Sequence, residues 1–389
     1  METNQSPISN LQSPEWPHVT VQLPIYNEMY VAKRIIAAAV KLDYPADRLQ
    51  IQVTDDSTDE TREIVHREVE RWQAQGVNIS HLHRTDRSGY KAGALQAAMP
   101  EAMGEFIAIF DADFVPPPDF LRRTLPHFLD ECSPSLGDLA NRPTDSNEKV
   151  AFVQARWGHL NRDYSWLTYL QSLAIDGHFM VEQFARSRAG FWFNFNGTAG
   201  VWRRAAMEDA GGWTADTLTE DLDLSYRAYL RGWHGRYLRD LVVPGEIPPS
   251  FSGFRKQQHR WARGSLECAR KLAPQVWRAP IPFRQKFQAT LHLAGYTVHL
   301  LLLLLTLIYP LVALFTARYP HLSTLYGFAY LFALTSIAPT LFFVIGQQQL
   351  GRWRWRQLPK ILAISVVGSG LMLNTVRAAW QIWRQPDGV

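Results

Sequence analysis

The sequence predicts an α/β domain with a mainly parallel sheet, followed by a membrane region. Segments rich in β-branched residues alternate with segments that have helical apolar spacing, and this alternation is typical of α/β domains. Acidic residues follow several of the predicted strands. Closer to the C-terminus, long stretches lack any charged residue, which predicts helices that cross a bilayer.

The first two strands are predicted at Val19–Glu28 and Leu49–Thr58, with a helix between them that stops at Pro45. A charged helix ended by Gly76, a strand "NISHLHR", a helix "KAGALQAAMPEA" and a strand "EFIAIFDAD" follow. We therefore expect a polar N-terminal segment over residues 1–18, an α/β domain over 19–285 and a membrane region over 286–389. The N-terminal segment has no signal-peptide pattern.

Composition excludes several classes of protein. The 389 residues are 47% hydrophobic and 20% charged, as in folded proteins. The net charge is +4, and the chain has no dense Lys/Arg tract, so no nucleic-acid partner is predicted. The two cysteines, Cys132 and Cys268, belong to no CxxC or Cys/His cluster, which predicts neither a disulfide framework nor a zinc site.

Three apolar stretches form the predicted membrane region. Phe287–Ala317 and Tyr326–Gly346 contain no Lys, Arg, Asp or Glu, and a shorter third stretch covers Ile361–Asn374. The loop Gly346–Lys360 carries four basic residues, which predicts that it and the α/β domain face the cytoplasm of an integral plasma- or inner-membrane protein. The basic C-terminal end fits this topology poorly, so a missing or partner-supplied membrane segment is also expected.

Four aspartates follow two of the predicted strands. They are Asp55 and Asp56 after the second strand, and Asp111 and Asp113 after the fourth. The carboxyl ends of parallel strands form the ligand-binding edge of such sheets, so all four can share one crevice. Unpaired carboxylates beside the apolar strand "FIAIF" are costly, and a hard cation such as Mg²⁺ or Mn²⁺ would relieve their repulsion.

The first aspartate pair has a purely structural alternative. Ser57 and Glu60 match a capping box, so Asp55 and Asp56 could support only the start of a helix.

The second pair has a chemical alternative. Asp111, Asp113 and Val115 form an Asp-x-Asp-x-Val pattern after an apolar strand, which resembles the nucleophile loop of haloacid-dehalogenase-type phosphatases. That loop normally opens its domain, whereas three strand–helix units precede it here, so this interpretation ranks below the metal site.

Two later segments are candidates for ligand contact. Phe193–Trp213 mixes aromatic residues with glycines, which we interpret as a surface that a flat ligand approaches closely. Thr219, Glu220 and Asp221 begin a predicted amphipathic helix. They either form an acidic N-terminal cap or provide a carboxylate that takes a proton from a substrate.

Gln257, Arg260 and Trp261 share one face of a predicted helix. This face suits sugar stacking and phosphate binding, or alternatively a helix at the membrane interface. His81 and His83 alternate on one strand, and with no third ligand evident near them they are interpreted as ordinary strand residues.

Together these motifs resemble one family. "VQLPIYNE", "DDSTDET", "YKAGAL", "DADF", "TED" and "QQHRW" are similar, in this order, to family 2 glycosyltransferases that are membrane-bound processive synthases of β-linked polysaccharides. "VQARWGHLN" and "FNGTAGVWR" resemble the mannan and glucan synthase branch of these cellulose-synthase-like enzymes most. The resemblance covers about Val19–Leu272.

The resemblance implies a GT-A fold that binds a nucleotide diphosphate sugar, either UDP-glucose or GDP-mannose, with Mg²⁺ or Mn²⁺. It implies an inverting transfer to the end of a polysaccharide. By position, it implies base contacts from Asp55 and Asp56, a diphosphate contact from Lys91, and a metal held by Asp111 and Asp113. It further implies Asp221 as the general base, and acceptor and donor-phosphate contacts from Gln257, Arg260 and Trp261.

Other functions stay open at this level. Transfer of one sugar to a lipid acceptor, as in ceramide glucosyltransferase-like enzymes, is the first alternative. A phosphatase and a non-catalytic membrane subunit that binds glycan are the others.

Overall fold

A seven-stranded sheet organises the N-terminal part of the chain in the computed structural model, which describes residues 16–129, 149–322 and 337–384. The order of the strands across the sheet is β3-β2-β1-β4-β6-β5-β7. The strands are β1 (Val19–Ile25), β2 (Leu49–Asp55), β3 (Ile79–His83), β4 (Phe106–Ile109), β5 (Val150–His159), β6 (Gly200–Arg203) and β7 (His234–Gly245).

The first four strands confirm the predicted parallel sheet. β1 pairs in parallel with both β2 and β4, and β2 pairs in parallel with β3. All seven residues of β1 are buried, as expected for a central strand covered on both faces. Because these strands run in the same direction, their carboxyl ends lie along one edge of the sheet. The candidate aspartates lie at that edge, at or just after the ends of β2 and β4.

In the other half of the sheet β6 is an antiparallel strand, and the sequence did not reveal it. β6 lies between β4 and β5 and runs antiparallel to both. The interpretation of Phe193–Trp213 as an aromatic ligand surface is wrong, because Phe193, Phe195 and Trp202 are buried. Their rings pack around Phe152 of β5, so these aromatics build the core that supports β6.

Fifteen α-helices lie among the described residues, and the predicted helices between the first four strands are present. In chain order they are α1 (Ala32–Val40), α2 (Thr61–Gln73), α3 (Tyr90–Ala98), α4 (Phe120–Thr124), α5 (Pro126–Leu129), α6 (Trp166–Gly177), α7 (Phe184–Arg188), α8 (Arg204–Asp209), α9 (Glu220–Leu230), α10 (Phe251–Arg278), α11 (Phe283–Leu293), α12 (Thr297–Arg318), α13 (Ile337–Gln349), α14 (Leu358–Gly370) and α15 (Met372–Arg384).

The chain divides into two units by its internal contacts. The first contains the described residues up to Gly158 together with Gly190–Glu246, and it holds the sheet. The second contains His159–Ala189 and the described residues from Ile247 onward. In the second unit, Leu170 and Leu173 of α6 pack in one apolar cluster with Ile361 of α14. The predicted domain limits at residues 18 and 285 stay a prediction.

Two segments of the described residues are long and apolar enough to cross a membrane, judged by length and composition. They are Thr297–Arg318 and Trp355–Ile382. None of the residues of α12 is buried within the structure, which leaves its leucines free to face lipid. The second segment is longer than the predicted stretch Ile361–Asn374 and contains it.

The predicted membrane stretches differ from the structure in one respect. Phe287–Ala317 is not one continuous helix, because α11 ends at Leu293 and α12 begins at Thr297, with Gly295 in the turn between them. Glycine is a poor helix former, which favours a break at that point. Most of the predicted polar segment 1–18, Cys132 and residues 326–336 of the second predicted stretch lie outside the described residues.

Candidate active site

Asp111 and Asp113 lie at the carboxyl end of β4, in the centre of the sheet. They belong to a turn in which Ala112 and Phe114 are buried, whereas the two aspartates are partly exposed. The Asp111 amide donates to Thr198 Oγ1 at 2.8 Å, and the Asp113 carbonyl accepts from the Glu246 amide at 3.1 Å. The backbone of this turn is therefore fixed on both sides.

The charges around this turn repel one another. Burial and the nearby Asp111 raise the pKa of Asp113 to about 7. Glu28, which follows β1 on the same edge, has a pKa raised to about 8 by burial, Asp113 and Asp111. These three carboxyl groups therefore influence one another electrostatically, and carboxylate oxygens are the ligands that a hard divalent cation such as Mg²⁺ or Mn²⁺ prefers. Glu28 was not among the residues that the sequence pattern singled out.

Lys91 supplies the positive charge at the centre of the site. Its Nζ donates to Asp111 Oδ1 at 2.5 Å and to the Gly197 carbonyl at 2.9 Å, and it lies 3.9 Å from Glu220 Oε1. Burial opposes the charged form, but Asp111 and Glu220 outweigh it and raise the pKa of Lys91. Lys91 therefore stays protonated and links the end of β4 to the start of α9.

Asp221 lies in the first turn of α9, close to Gly197. Its Oδ1 accepts from the Leu222 amide at 2.8 Å. A Cβ added to Gly197 would lie 3.1 Å from Asp221 Oδ2 and 3.4 Å from Lys91 Nζ, and Gly197 has a φ of 77°. Burial and the adjacent Glu220 raise the pKa of Asp221 to about 7. A carboxylate with such a pKa is suited to accept a proton near neutral pH.

Two ordinary residues of this region have left-handed backbone conformations. Tyr90, directly before Lys91, has a φ of 48°, and Ala199 has a φ of 58°. The Ala199 amide donates to the Ile109 carbonyl at 2.9 Å, and its carbonyl accepts from Ala155 at 3.0 Å. Hydrogen bonds to β4 and β5 therefore hold this strained residue in place beside Asp111.

Asp55 is fully buried at the end of β2, and its partners differ from those expected of a helix cap. Its Oδ1 accepts from the Ser57 amide at 2.8 Å and its Oδ2 lies 2.9 Å from His81 Nε2. Although burial opposes ionisation, the hydrogen bonds from His81 and Ser57 lower the pKa of Asp55. The capping-box alternative is wrong, since α2 begins at Thr61, four residues beyond Ser57.

The two strand histidines also have a third group beside them. His83 Nδ1 lies 3.5 Å from Asp55 Oδ2, the same oxygen that lies 2.9 Å from His81 Nε2. The interpretation of His81 and His83 as strand residues without a nearby third ligand is therefore wrong. The parallel pairing of β2 with β3 places Asp55 directly opposite His83, a neighbour that spacing along the chain does not reveal.

Asp56 is held by Arg84, a residue that the sequence pattern did not single out. Arg84 Nε and one terminal nitrogen donate to the two carboxylate oxygens of Asp56 at 2.8 and 2.6 Å. Arg84 also donates to the carbonyls of Ser88 and Tyr90, at 3.3 and 3.1 Å. One guanidinium thus joins Asp56 to the loop that presents Lys91.

Gln257, Arg260 and Trp261 lie on α10, in the second unit, and share one helix face as predicted. Arg260 is exposed, whereas Gln257 and Trp261 are partly buried. In the first unit, the structure brings together four of the predicted site residues: Lys91, Asp111, Asp113 and Asp221. Asp55 and Asp56 lie at the same edge of the sheet. The role of the α10 residues stays a prediction.

Comparison with known proteins places these residues in a family. The family model described as "Glycosyltransferase like family 2" matches residues 17–264, a range that includes every candidate residue of the sheet edge and of α10. Glucomannan 4-beta-mannosyltransferases 7 and 2 of Arabidopsis thaliana are 44% and 45% identical over 271 and 272 residues, each covering 69% of this chain. The chain spans less than half of their length, 46% and 48%.

A solved structure has the same fold. The mannosyltransferase PcManGT of Pyrobaculum calidifontis, determined in complex with GDP-Man and Mn²⁺, matches with a TM-score of 0.54 at 19% identity, over 97% of this chain and 90% of that one. The fold is therefore of the GT-A type, as predicted, and the phosphatase interpretation of "DADFV" is wrong. The chain belongs to the glycosyltransferase family 2.

Proposed function

We propose that this protein transfers mannose from GDP-mannose, with inversion, to the end of a growing β-linked polysaccharide. The observation that carries this proposal is the 44–45% identity to glucomannan 4-beta-mannosyltransferases, which extends over more than two thirds of the chain. The GDP-Man and Mn²⁺ bound to PcManGT are the donor and the cation that we propose here, with Mg²⁺ as the other candidate.

The proposed reaction is an in-line displacement at the anomeric carbon by a hydroxyl of the acceptor sugar. That hydroxyl is a weak nucleophile until its proton is removed. Asp221 has one oxygen held by the Leu222 amide and a pKa near neutrality, so its other oxygen can accept this proton. Gln257, Arg260 and Trp261 of α10 are proposed to hold the acceptor sugar and the donor phosphates.

The leaving group is a nucleoside diphosphate, on which negative charge develops. Lys91 at the start of α3 is proposed to bind the diphosphate at the N-terminal end of a helix that no side chain caps. Asp111 and Asp113, with Glu28 beside them, would hold the cation. When bound, a divalent cation would supply charge stabilisation for the departing diphosphate. Asp55 and Asp56 are proposed to contact the nucleotide base.

The apolar helices suggest where the polymer goes. We propose an integral membrane protein with the sheet unit on the cytoplasmic side, so that the polysaccharide is built inside and leaves across the bilayer. The exposed surface of α12 and the second apolar segment support a bilayer as partner.

A donor and product assay tests this function. Purified protein in detergent is incubated with Mn²⁺ or Mg²⁺ and radiolabelled GDP-mannose or UDP-glucose. The product is then sized and digested with linkage-specific glycanases. A long product from GDP-mannose that a β-mannanase degrades is the expected result. A single sugar on lipid would replace the polymer proposal, and activity with UDP-glucose alone would overturn the donor.

The dependence of the rate on pH reports the general base. Asp221 must be ionised to accept a proton, and its pKa is raised to about 7. At saturating metal, kcat/KM is therefore expected to fall about tenfold for each pH unit below about 7, and to be level above it. Glu220→Gln removes a neighbouring negative charge that raises this pKa, so its profile should shift to lower pH. Identical profiles for both proteins would contradict the assignment.

Arg84 provides a test of the base-binding side. Arg84→Ala removes both hydrogen bonds to Asp56 and both to the loop before Lys91. We expect kcat/KM for GDP-mannose to fall by about ten- to 100-fold, the range for one to two charge-assisted hydrogen bonds. Steady-state kinetics measures this change. Arg67→Ala, which alters an exposed arginine of α2, is the matched control, and equal rates for the two variants would contradict the role of Arg84.

A further inference from the structure

A cluster of one carboxylate and two imidazoles lies apart from the carboxylates after β4. Asp55, His81 and His83 each place one ligand atom so that all three atoms lie within 4.8 Å of one another. His81 and His83 point to the same face of β3 because they are two residues apart on a strand. The register of β2 and β3 adds Asp55, opposite His83.

The distances in this cluster match those between the ligands of one ion. His81 Nε2 lies 2.9 Å and His83 Nδ1 lies 3.5 Å from Asp55 Oδ2. A tetrahedral ion bound at about 2.0–2.1 Å by nitrogen and oxygen separates its ligands by about 3.3 Å. The two distances to Asp55 differ from this value by a few tenths of an ångström, and the two nitrogens, which lie within 4.8 Å of each other, need to approach by at most about 1.5 Å to share a metal.

One of these atoms also lacks an ordinary partner. Among the described residues, His83 Nδ1 is buried and makes no hydrogen bond, since its 3.5 Å separation from Asp55 is longer than a good one. Buried polar atoms are usually satisfied, and such an orphan often marks an ion or water site. Arg84, the residue after His83, is paired with Asp56 by two hydrogen bonds and so adds little net charge here.

The chemistry of the three ligands selects the metal. Two imidazoles and one carboxylate are typical ligands of Zn²⁺ and related transition metals, whereas Mg²⁺ prefers oxygen alone. The side chains of His81 and His83 are 10% and 17% exposed, so an ion can enter and retain one open position for water. The cysteine pattern could not indicate this site because no cysteine takes part.

We propose that Asp55, His81 and His83 form a transition-metal site of the Zn²⁺ class, separate from the cation site of Asp111 and Asp113. A consequence rests on the proposed function, in which Asp55 contacts the nucleotide base. The metal and the base would then compete for one carboxylate, so Zn²⁺ would act as an inhibitor that the donor displaces.

Cobalt provides the test because four-coordinate Co²⁺ absorbs visible light much more strongly than the hydrated ion. The full chain, stripped of metal in detergent, is titrated with Co²⁺ without nucleotide. We expect about one strongly absorbing Co²⁺ per chain, retained in Asp113→Asn and displaced by Zn²⁺. In His83→Ala and His81→Ala the apparent Kd should rise by about 100-fold or more, since even outer partners of a metal ligand contribute 10- to 100-fold.

His66→Ala is the matched control, because the His66 ring lies 6.0 Å from that of His81 but outside the cluster. Mn²⁺ binding measured by electron paramagnetic resonance shows that each histidine variant is folded, and circular dichroism shows it for Asp113→Asn. An absorption that persists in both histidine variants, or that disappears in Asp113→Asn, would overturn the site. If GDP with Mg²⁺ binds without displacing Co²⁺, the metal site holds and the assignment of Asp55 to the base fails.

Discussion

Asp221→Asn is expected to lower kcat for mannose transfer by about 10²–10⁴-fold while GDP-mannose still binds. The change keeps the size of the side chain and the hydrogen bond from the Leu222 amide, but the amide cannot take a proton. The raised pKa of Asp221 follows from burial and Glu220, so the carboxylate is basic enough at neutral pH for this role. Single-turnover kinetics with radiolabelled donor measures the chemical step directly.

The control for this variant is Glu208→Gln, which removes an exposed carboxylate on α8 that pairs with Arg204. Its rate should stay within about twofold of the wild type, as for most surface substitutions. Calorimetric titration with GDP should give similar affinities for all three proteins. A kcat for Asp221→Asn close to that of Glu208→Gln would exclude Asp221 as the base.

Asp113→Asn is expected to reduce transfer by roughly 10²-fold or more, and to weaken the apparent affinity for Mn²⁺. Burial and Asp111 raise the pKa of Asp113 to about 7, although Lys91 lowers it, so negative charge is concentrated at this site. Removing one carboxylate ligand lowers the attraction for the metal. Activity measured across a Mn²⁺ titration gives both quantities.

Asp119→Asn is the matched control, since Asp119 is exposed and pairs with Arg123 at the start of α4, just beyond the prolines. Chelation with EDTA should abolish activity in the wild type and in this control, and added Mn²⁺ should restore it. If Asp113→Asn retains the wild-type response to Mn²⁺, the cation does not depend on this carboxylate.

The sequence predicted the parallel half of the sheet because each strand there has a clear apolar run and a helix after it. β5 and β6 escaped prediction since their pairing is antiparallel and long-range: Gly200 of β6 pairs with Ile109 and Gln154 from distant parts of the chain. The interpretation of the aromatic residues before β6 was wrong because it did not include this strand, whose core they build. A glycine-rich aromatic stretch has the same composition whether it faces a ligand or fills a core.

At the site, the sequence located the acidic residues but not their partners. Asp111, Asp113 and Asp221 stand at ends of elements that periodicity identifies, and the family motif gives them roles. Glu28 and Arg84 act through charges that meet only when the strands align, as their contacts with Asp113 and Asp56 show. The pairing of His83 with Asp55 depends likewise on strand register, which spacing along one strand cannot report.

The left-handed backbone at Tyr90 and Ala199 has a consequence for engineering. An ordinary residue in this conformation costs roughly 1–2 kcal/mol, a cost that glycine avoids. A screen scored only on heat resistance would therefore favour glycine at both positions. The same exchanges would loosen the chain next to Lys91 and Asp111, so the most heat-resistant variants from such a screen should be among the slowest catalysts.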